Sequence, residues 1–438
     1  MTRRTRNHGG PLGRRHVPQT AALRASIAGV QRSMTSSAAE DGLPRTGGEA
    51  KSLGRGKVDW SDDGDGGLSV TVTRQDTYPV VIGRGKVETL PAVIGRTLQT
   101  DSLFIVTDDN VADLLLTRVT DLFAEHGAAV QSVVVPPGEA SKSWTAAQNV
   151  IEALSSRGAK RRTALVALGG GVIVDMVGFV ASAFMRGLPY VNVPTSLIAQ
   201  LDAAVGGKTG IDYDGSKNLL GAFYHPAAVL IDPDLLSTLP GREIRSGLAE
   251  AVKVGMLHPP LFAKLERLEL GLADDLDVLA AIIRDAVLCK MRLLRDDPFE
   301  QSLVRLLNLG DSIGHALEAA TEFSAYRHGE AVAIGIAVAT VVSRHRGICT
   351  AGTKNRIIGC LATCGLEISL PLPLVEATWR EIDVIRRIRN GVLNEVLPVS
   401  IGEFVVVDEI AREEFVSAAE TLAEIAAARP SEAVIGSN

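Results

Sequence analysis

Apolar and polar positions alternate in two different ways along this chain, and the change between them divides it. Order begins at Leu68-Ser-Val-Thr-Val-Thr, where β-branched residues recur at the period of two that a strand requires. Short apolar runs follow at Leu103–Val106, Val130–Val135, Thr163–Leu168, Tyr190–Val193 and Val229–Ile231, each trailed by turn residues and a helical stretch. Such runs predict a parallel sheet covered by helices. After Leu239-Pro240 the period lengthens, and residues 241–346 space Leu, Ala, Arg and Glu as long packed helices do. Pro371, Pro373 and Pro398 punctuate a mixed tail with a late strand at Phe404-Val-Val-Val. The pattern predicts an α/β domain of the nucleotide-binding kind at 68–237, a mainly helical domain at 238–430 and a tail at 431–438. The cleft between the two domains is the expected ligand site.

Residues 1–67 lack this order. The first 39 hold seven arginines and no acid, and Gly and Asp dominate 62–67, so the stretch reads as a disordered leader and linker. Its composition also resembles an organelle transit peptide; the expectation is a cytoplasmic protein, with organelle targeting as the alternative. Across all 438 residues, 45 basic against 51 acidic side chains leave a net charge of −6, which argues against a nucleic-acid partner. No apolar run reaches the roughly 20 residues that cross a bilayer, so no membrane partner is expected, and Ala331–Val342 reads as a buried helix. Four cysteines in so long a chain argue against a disulfide framework; Cys360 and Cys364 read as core thiols.

Three segments carry candidate chemistry. In Leu165-Val-Ala-Leu-Gly-Gly-Gly-Val-Ile-Val-Asp175 an apolar strand runs through three glycines into a helix, a junction that lets a pyrophosphate approach the backbone and the helix N-terminus. A tight turn without a ligand explains it equally well. Pro137-Gly-Glu139-Ala-Ser-Lys142 offers a second rim, where Glu139 faces a ribose hydroxyl and Lys142 a phosphate, or both simply start a solvated helix. The stretch from Gln200 to Gly221, which also contains Asp202, places Lys208, Lys217 and Asn218 among glycines and apolar residues, and two lysines with an Asn in such surroundings favour an anion site. Arg186, in Phe-Met-Arg-Gly, is a further cation or a surface ion pair. In the helical part, Glu250 and Lys253 stand one turn apart, Asp311 and His315 share a face at i and i+4, and His328 follows. Carboxylate and imidazole groups of this kind suit Zn²⁺, although each pair alone is also an ordinary helix-face contact.

Taken in order, Gly-Gly-Gly-Val-Ile-x-Asp, Met-Arg-Gly, Val-Pro-Thr, Gln-x-Asp-x-x-x-Gly-Gly-Lys-Thr, Gly-Lys-Asn-Leu-x-Gly-Ala-Phe, Ala-Glu-x-x-Lys, the Leu-Asn-x-Gly and Gly-His-Ala parts of a longer motif, and His-Gly-Glu-Ala-Val resemble the 3-dehydroquinate synthases and the wider sugar phosphate cyclases over residues 70–410; Ser216 precedes Lys217 where that motif has glycine. The resemblance implies a Rossmann-like domain with NAD, a helical domain with catalytic zinc or another divalent metal such as cobalt, and a homodimer. It implies Asp108, Asn110, Glu139, Lys142, Gly170, Gly171, Asp175, Thr195 and Ser196 around the cofactor. It also implies Glu250, Asp311 and His328 as metal ligands, and Lys208, Lys217, Asn218, Arg186, Arg386 and Arg387 toward the substrate and its phosphate. Lys253, His315, Asp202 and Asn308 would be the catalytic groups. The implied reaction is that of the shikimate pathway of aromatic amino acid biosynthesis, a lyase converting 3-deoxy-D-arabino-heptulosonate 7-phosphate to 3-dehydroquinate and phosphate. Besides Ser216, the chain departs from the family pattern in four places. Asp311 stands for a histidine, Val304 for an arginine, Ala203 and Ala204 for paired serines, and Arg386-Arg387 for Lys-Lys. Asn308 matches the dehydroquinate branch. The competing expectations are a cyclase that makes a valiolone-type cyclitol from sedoheptulose 7-phosphate, an alcohol or glycerol dehydrogenase of related architecture, and a catalytically impaired homologue acting as a binding subunit.

Overall fold

The computed structural model describes residues 55–62, 68–268, 275–295, 297–299, 306–389 and 391–428. Six strands form one parallel sheet: β3 (Val80–Ile82), β4 (Ser102–Asp108), β5 (Val130–Val135), β6 (Thr163–Gly169), β7 (Tyr190–Pro194) and β10 (Ala228–Ile231), in the spatial order β3-β10-β7-β6-β4-β5. The five expected apolar runs are β4, β5, β6, β7 and β10, while β3 is not among them; β4, β6, β7 and β10 are almost wholly buried, as a sheet covered on both faces demands. From β4 the chain goes to β5 on one side; from β6 it goes to β7 on the other. The carboxyl ends of β4 and β6 therefore flank a switch point, where open α/β sheets hold their ligands.

Two further features escaped the pattern. Arg55–Asp62, inside the stretch read as linker, is a strand (β1) that pairs antiparallel with β2 (Leu68–Gln75), setting Val58 opposite Val72 and Trp60 opposite Val70. Two apolar residues in eight are too few to signal a strand without the partner that aligns them. The rest of the expected leader, residues 1–54 and 63–67, lies outside the described residues. The Gly-rich stretch after Gln200 is also not a loop throughout. It forms a second hairpin, β8 (Lys208–Tyr213) with β9 (Ser216–Phe223), packed on the helix Gly171–Ala183, where a Cβ at Gly178 would fall 2.3 Å from the Thr209 methyl.

Beyond the turn Pro233–Thr238 the chain is mainly helical, through Gly241–Leu257, Pro259–Leu265, Leu276–Leu294, Asp311–Ala320, His328–His345, Ala351–Thr363, Val375–Ile388 and Arg412–Ala427. One antiparallel pair, β11 (Glu395–Ser400) with β12 (Glu403–Val407), closes it, which includes the strand expected at Phe404. The helix His328–His345 runs through the centre and buries every residue from Ala331 to Ser343. Its apolar core continues without a break into Val229 and Ile231 of the sheet. All four cysteines are buried and free, as expected of core thiols. No helix among the described residues is long and apolar enough to cross a membrane.

Three helices meet at distances that only glycine permits. A Cβ at Gly329 would lie 1.8 Å from the Ser246 carbonyl oxygen, and one at Gly335 would lie 2.1 Å from that of Gly310. These contacts lock the start of His328–His345 against Gly241–Leu257 and against the entry to Asp311–Ala320. Gly329→Ala is expected to destabilise the fold by about 1–3 kcal/mol through forced separation of the helices, read from a lower denaturant midpoint. A midpoint equal to wild type would show that the contact is slack.

Glu395 is buried at the start of β11, and among the described residues no group makes a well-formed hydrogen bond to either of its oxygens. Burial pushes its carboxyl up to about 8, with Asp311 adding to the rise and Ser312 and Arg389 opposing it. The folded state therefore holds a proton that the unfolded state releases above its ordinary range, so stability falls as pH rises from about 4.5 to about 8. Glu395→Gln should remove that slope and stabilise the protein at pH 7 by on the order of 2–3 kcal/mol. Parallel stability–pH curves for wild type and variant between pH 5 and 8 would refute this.

Candidate functional site

The candidate site is built from the carboxyl edge of the sheet, the β8–β9 hairpin and the three glycine-locked helices. At the switch point, β6 ends in Gly169 and the next helix starts at Gly171 with Gly170 as its cap; Thr195 N–H donates to the Gly169 carbonyl at 2.9 Å. Gly170 has an ordinary negative φ of −73°, so its backbone alone does not require glycine. A Cβ there would stand 3.3 Å from Ser196 Oγ, and one at Gly171 would stand 3.8 Å from the Ala203 methyl. Opposite, Asp108 ends β4 and accepts from Val111 N–H at 3.1 Å, capping the helical turn that contains Asn110. Gly170, Gly171, Thr195 and Ser196 are thus gathered at one edge, with Asp108 and Asn110 at the end of the adjacent strand.

Glu139 and Lys142 belong to the turn after β5. Lys142 is not on a solvated helix start: it is buried and bonded to Asp175 Oδ2 at 2.6 Å. Its carbonyl accepts from Asp212 N–H at 2.7 Å, and Asp212 Oδ1 accepts from Asn218 N–H at 2.8 Å. This bridge ties the turn to the β8–β9 hairpin and brings Lys217 Nζ within 3.2 Å of Glu139. Asn218 adopts φ +53°, a left-handed conformation that Asn tolerates better than most residues. Lys208 begins the hairpin and is exposed.

Glu250, Lys253, Asp311, His315 and His328 come together. Lys253 Nζ lies 2.8 Å from Glu250 Oε2 and 2.9 Å from Asp311 Oδ1, so the pair that one helix face suggested is in fact a trio spanning two helices. Burial opposes the Lys253 charge, but Asp311 and then Glu250 more than compensate and push its ionisation up. His328 Nε2 lies 3.6 Å from Glu250 Oε1, and the His315 and His328 rings stack at 5.4 Å. One donor atom each from Glu250, Asp311 and His328 falls within 4.8 Å of the others, and the same holds for His315, Glu318 and His328. Two carboxylates and an imidazole at that spacing fit a divalent cation. Burial, with His328 and Lys217 adding to it, lowers His315 to about 4, which leaves a neutral imidazole at neutral pH.

Asn308 stands in the short turn Leu306–Asn308 before this helix pair. Asp202 lies in the π turn Ala199–Ala203 and bonds Lys290 at 2.7 Å. Burial raises the Asp202 carboxyl, yet Lys290, Lys253 and Lys208 together hold it well below the usual range. Three other expected residues stay outside this group. Arg186 sits exposed in a turn where it and Met185 both take positive φ. Arg386 pairs with Asp383 at 2.7 Å, and Arg387 is exposed. Val304 and Arg305 lie outside the described residues.

Several contributors were missed. Glu318, side chain 3% exposed, touches both Lys217 and His328; its place three residues after His315 was the available signal. Lys290 is buried and also donates to the carbonyls of Asp202 and Val205, and nothing in its helical sequence marks it out. Arg389, rather than Arg386 or Arg387, reaches the Asp311 helix, at 3.1 Å from Ser312 Oγ.

Residues 132–246 match the family model for the 3-dehydroquinate synthase N-terminal domain, and residues 247–384 match that for its C-terminal domain. A 2-epi-valiolone synthase of Stigmatella aurantiaca (strain DW4/3-1) is 45% identical over 88% of this chain and 100% of its own length. A 3-dehydroquinate synthase of Symbiobacterium thermophilum is 38% identical over 77% of this chain and 95% of its own. Among solved structures, 2-epi-5-epi-valiolone synthase from Streptomyces hygroscopicus subsp. jinggangensis 5008, with NAD+ and Zn2+ bound, superposes with a TM-score of 0.76 at 30% identity, covering 82% of this chain and 99% of that one. With both halves matched and a relative 45% identical over its whole length, the chain belongs to the 3-dehydroquinate synthase family of sugar phosphate cyclases.

Proposed function

We propose that this chain uses NAD and a divalent metal, zinc or cobalt, to eliminate phosphate from a seven-carbon ketose phosphate and close the remaining chain into a ring. The observation that carries this reading is the unbroken line of charged groups from Asp311 and Lys253 through Glu250, His328 and Glu318 to Lys217. One end offers donors for a cation and the other a cation for a phosphate. When bound, NAD takes a hydride from an alcohol carbon and returns it in the same turnover, while the metal polarises that alcohol.

In this reading the Gly169–Gly171 turn and the helix start behind it receive the pyrophosphate, with Asp108, Asn110, Glu139, Thr195 and Ser196 around it and the Lys142–Asp175 pair bracing the rim. Glu250, Asp311 and His328 hold the metal. Lys208, Lys217 and Asn218 receive the phosphate, and neutral His315 donates a hydrogen bond to it or accepts a proton from it. Asp202, Lys253 and Asn308 orient the hydroxyl groups. Arg186 is unpaired with the site of its own chain and belongs to the site of the other subunit in a homodimer, for which the exposed apolar face of the β1–β2 hairpin (Val58, Trp60, Val70, Val72) is a candidate surface.

The two seven-carbon substrates stand level. Asn308 favours the heptulosonate and a place in aromatic biosynthesis. The 45% identical 2-epi-valiolone synthase favours sedoheptulose 7-phosphate, as does Val304, because a substrate without a carboxylate has no need of the missing arginine. With NAD and Co²⁺ supplied, phosphate release from one of the two without accumulation of NADH is the expected result. NADH in proportion to a simple alcohol would support a dehydrogenase instead, and no phosphate from either sugar would support an impaired homologue.

Gly170→Val places a branched side chain where the pyrophosphate should lie. It should weaken NAD binding at least about tenfold at an unchanged unfolding midpoint, because among the described residues a Cβ at this position approaches only Ser196. Unaltered NAD affinity would remove the turn from the cofactor site. Asp311→Ala should lose metal, measured by chelator competition, while Asp311→His holds or raises affinity. Full metal occupancy in Asp311→Ala would make Asp311 a bystander.

A further inference from the structure

Glu318 has both carboxylate oxygens engaged by groups assigned above to different tasks. Oε1 accepts from Lys217 Nζ at 2.9 Å, and Oε2 faces His328 Nδ1 at 3.2 Å. The other ring nitrogen of His328 faces Glu250. A carboxylate on Nδ1 fixes the tautomer with its proton there and leaves the Nε2 lone pair for a metal, raising the basicity of the ring.

We propose that Glu318 is a positioning residue that orients His328 toward the Glu250–Asp311 side and, through the same carboxylate, anchors Lys217 of the β8–β9 hairpin. This rests on Glu250, Asp311 and His328 being the metal ligands. The alternative makes Glu318 itself a ligand, with His315 and His328, through Nδ1. Charge does not separate the two sets, since Glu250, Asp311 and Lys253 sum to −1 and so do Glu318, Lys217 and Glu139, 3.2 Å from Lys217; the variants below separate them.

The test is Zn²⁺ and Co²⁺ affinity of the full-length protein by chelator competition, together with the visible spectrum of the Co²⁺ form. Glu318→Gln is expected to lower metal affinity about 10–100-fold and shift the Co²⁺ bands, because an amide no longer fixes the ring. Glu318→Asp should regain part of the loss. Glu250→Ala should abolish binding and His315→Ala should leave it near wild type. Unfolding midpoints confirm that each variant is folded. If Glu250→Ala abolishes binding but Glu318→Gln stays within twofold of wild type with an unchanged spectrum, Glu318 has no positioning role and the metal assignment stands. If Glu250→Ala binds as wild type, the metal assignment itself fails. Loss of binding in both Glu318→Gln and His315→Ala, with Glu250→Ala unaffected, would make Glu318 a ligand and overturn the proposal.

Discussion

The buried ammonium of Lys253, held between Glu250 and Asp311, is the interaction on which the helical half of the site turns. Removing an ammonium and two carboxylates from water costs several kcal/mol per ion, and only close pairing offsets it. Here the pairing extends, because His328 leans on Glu250, Glu318 holds His328, and Lys217 satisfies Glu318. Neutralising Lys253 would leave Glu250 charged and buried. The same groups are therefore a structural brace and, under the proposed function, a source of metal ligands.

Sterics set this line as firmly as charge does. Gly329 follows His328, and its contact with the Ser246 carbonyl fixes where the imidazole starts. Gly335 against Gly310 fixes the entry to the helix of Asp311 and His315 in the same way. Larger side chains at these positions would widen the spacing between helices, and the donor atoms of Glu250, Asp311 and His328 would no longer lie within 4.8 Å of one another. Close helix packing is thus a condition of the chemistry and not only of stability.

The sheet side contributes a different device. Its switch point presents a glycine turn and a helix start, which suit a dinucleotide, whereas the hairpin β8–β9 carries Lys217 away from the sheet and into the carboxylate of Glu318. Lys142 and Asp212 join the turn after β5 to that hairpin. The turn after β5 and the hairpin carrying Lys217 are in this way linked by backbone as well as by charge, so under the proposed function the register between cofactor and substrate is built into the fold.

Much of this architecture is legible in the amino-acid sequence alone. Apolar runs at Leu103, Val130, Thr163, Tyr190 and Val229 specify strands buried on both faces, since few other arrangements hide so many consecutive β-branched residues. The resemblance of ordered motifs, and not spacing, points to Glu250, Asp311 and His328 together, with Asp311 standing where the family pattern has histidine. What the sequence could not convey is partnership across distance. Nothing local shows that Lys253 serves Asp311, 58 residues away, that Glu318 joins Lys217 to His328, or that Arg389 and not Arg386 turns toward Ser312. Nor does a strand as sparse as Arg55–Asp62 declare itself without β2 beside it. Patterns of burial are local properties of the chain, whereas ion pairs are chosen only when packing brings helices within a few ångströms; the first the sequence determines, and the second the tertiary structure decides.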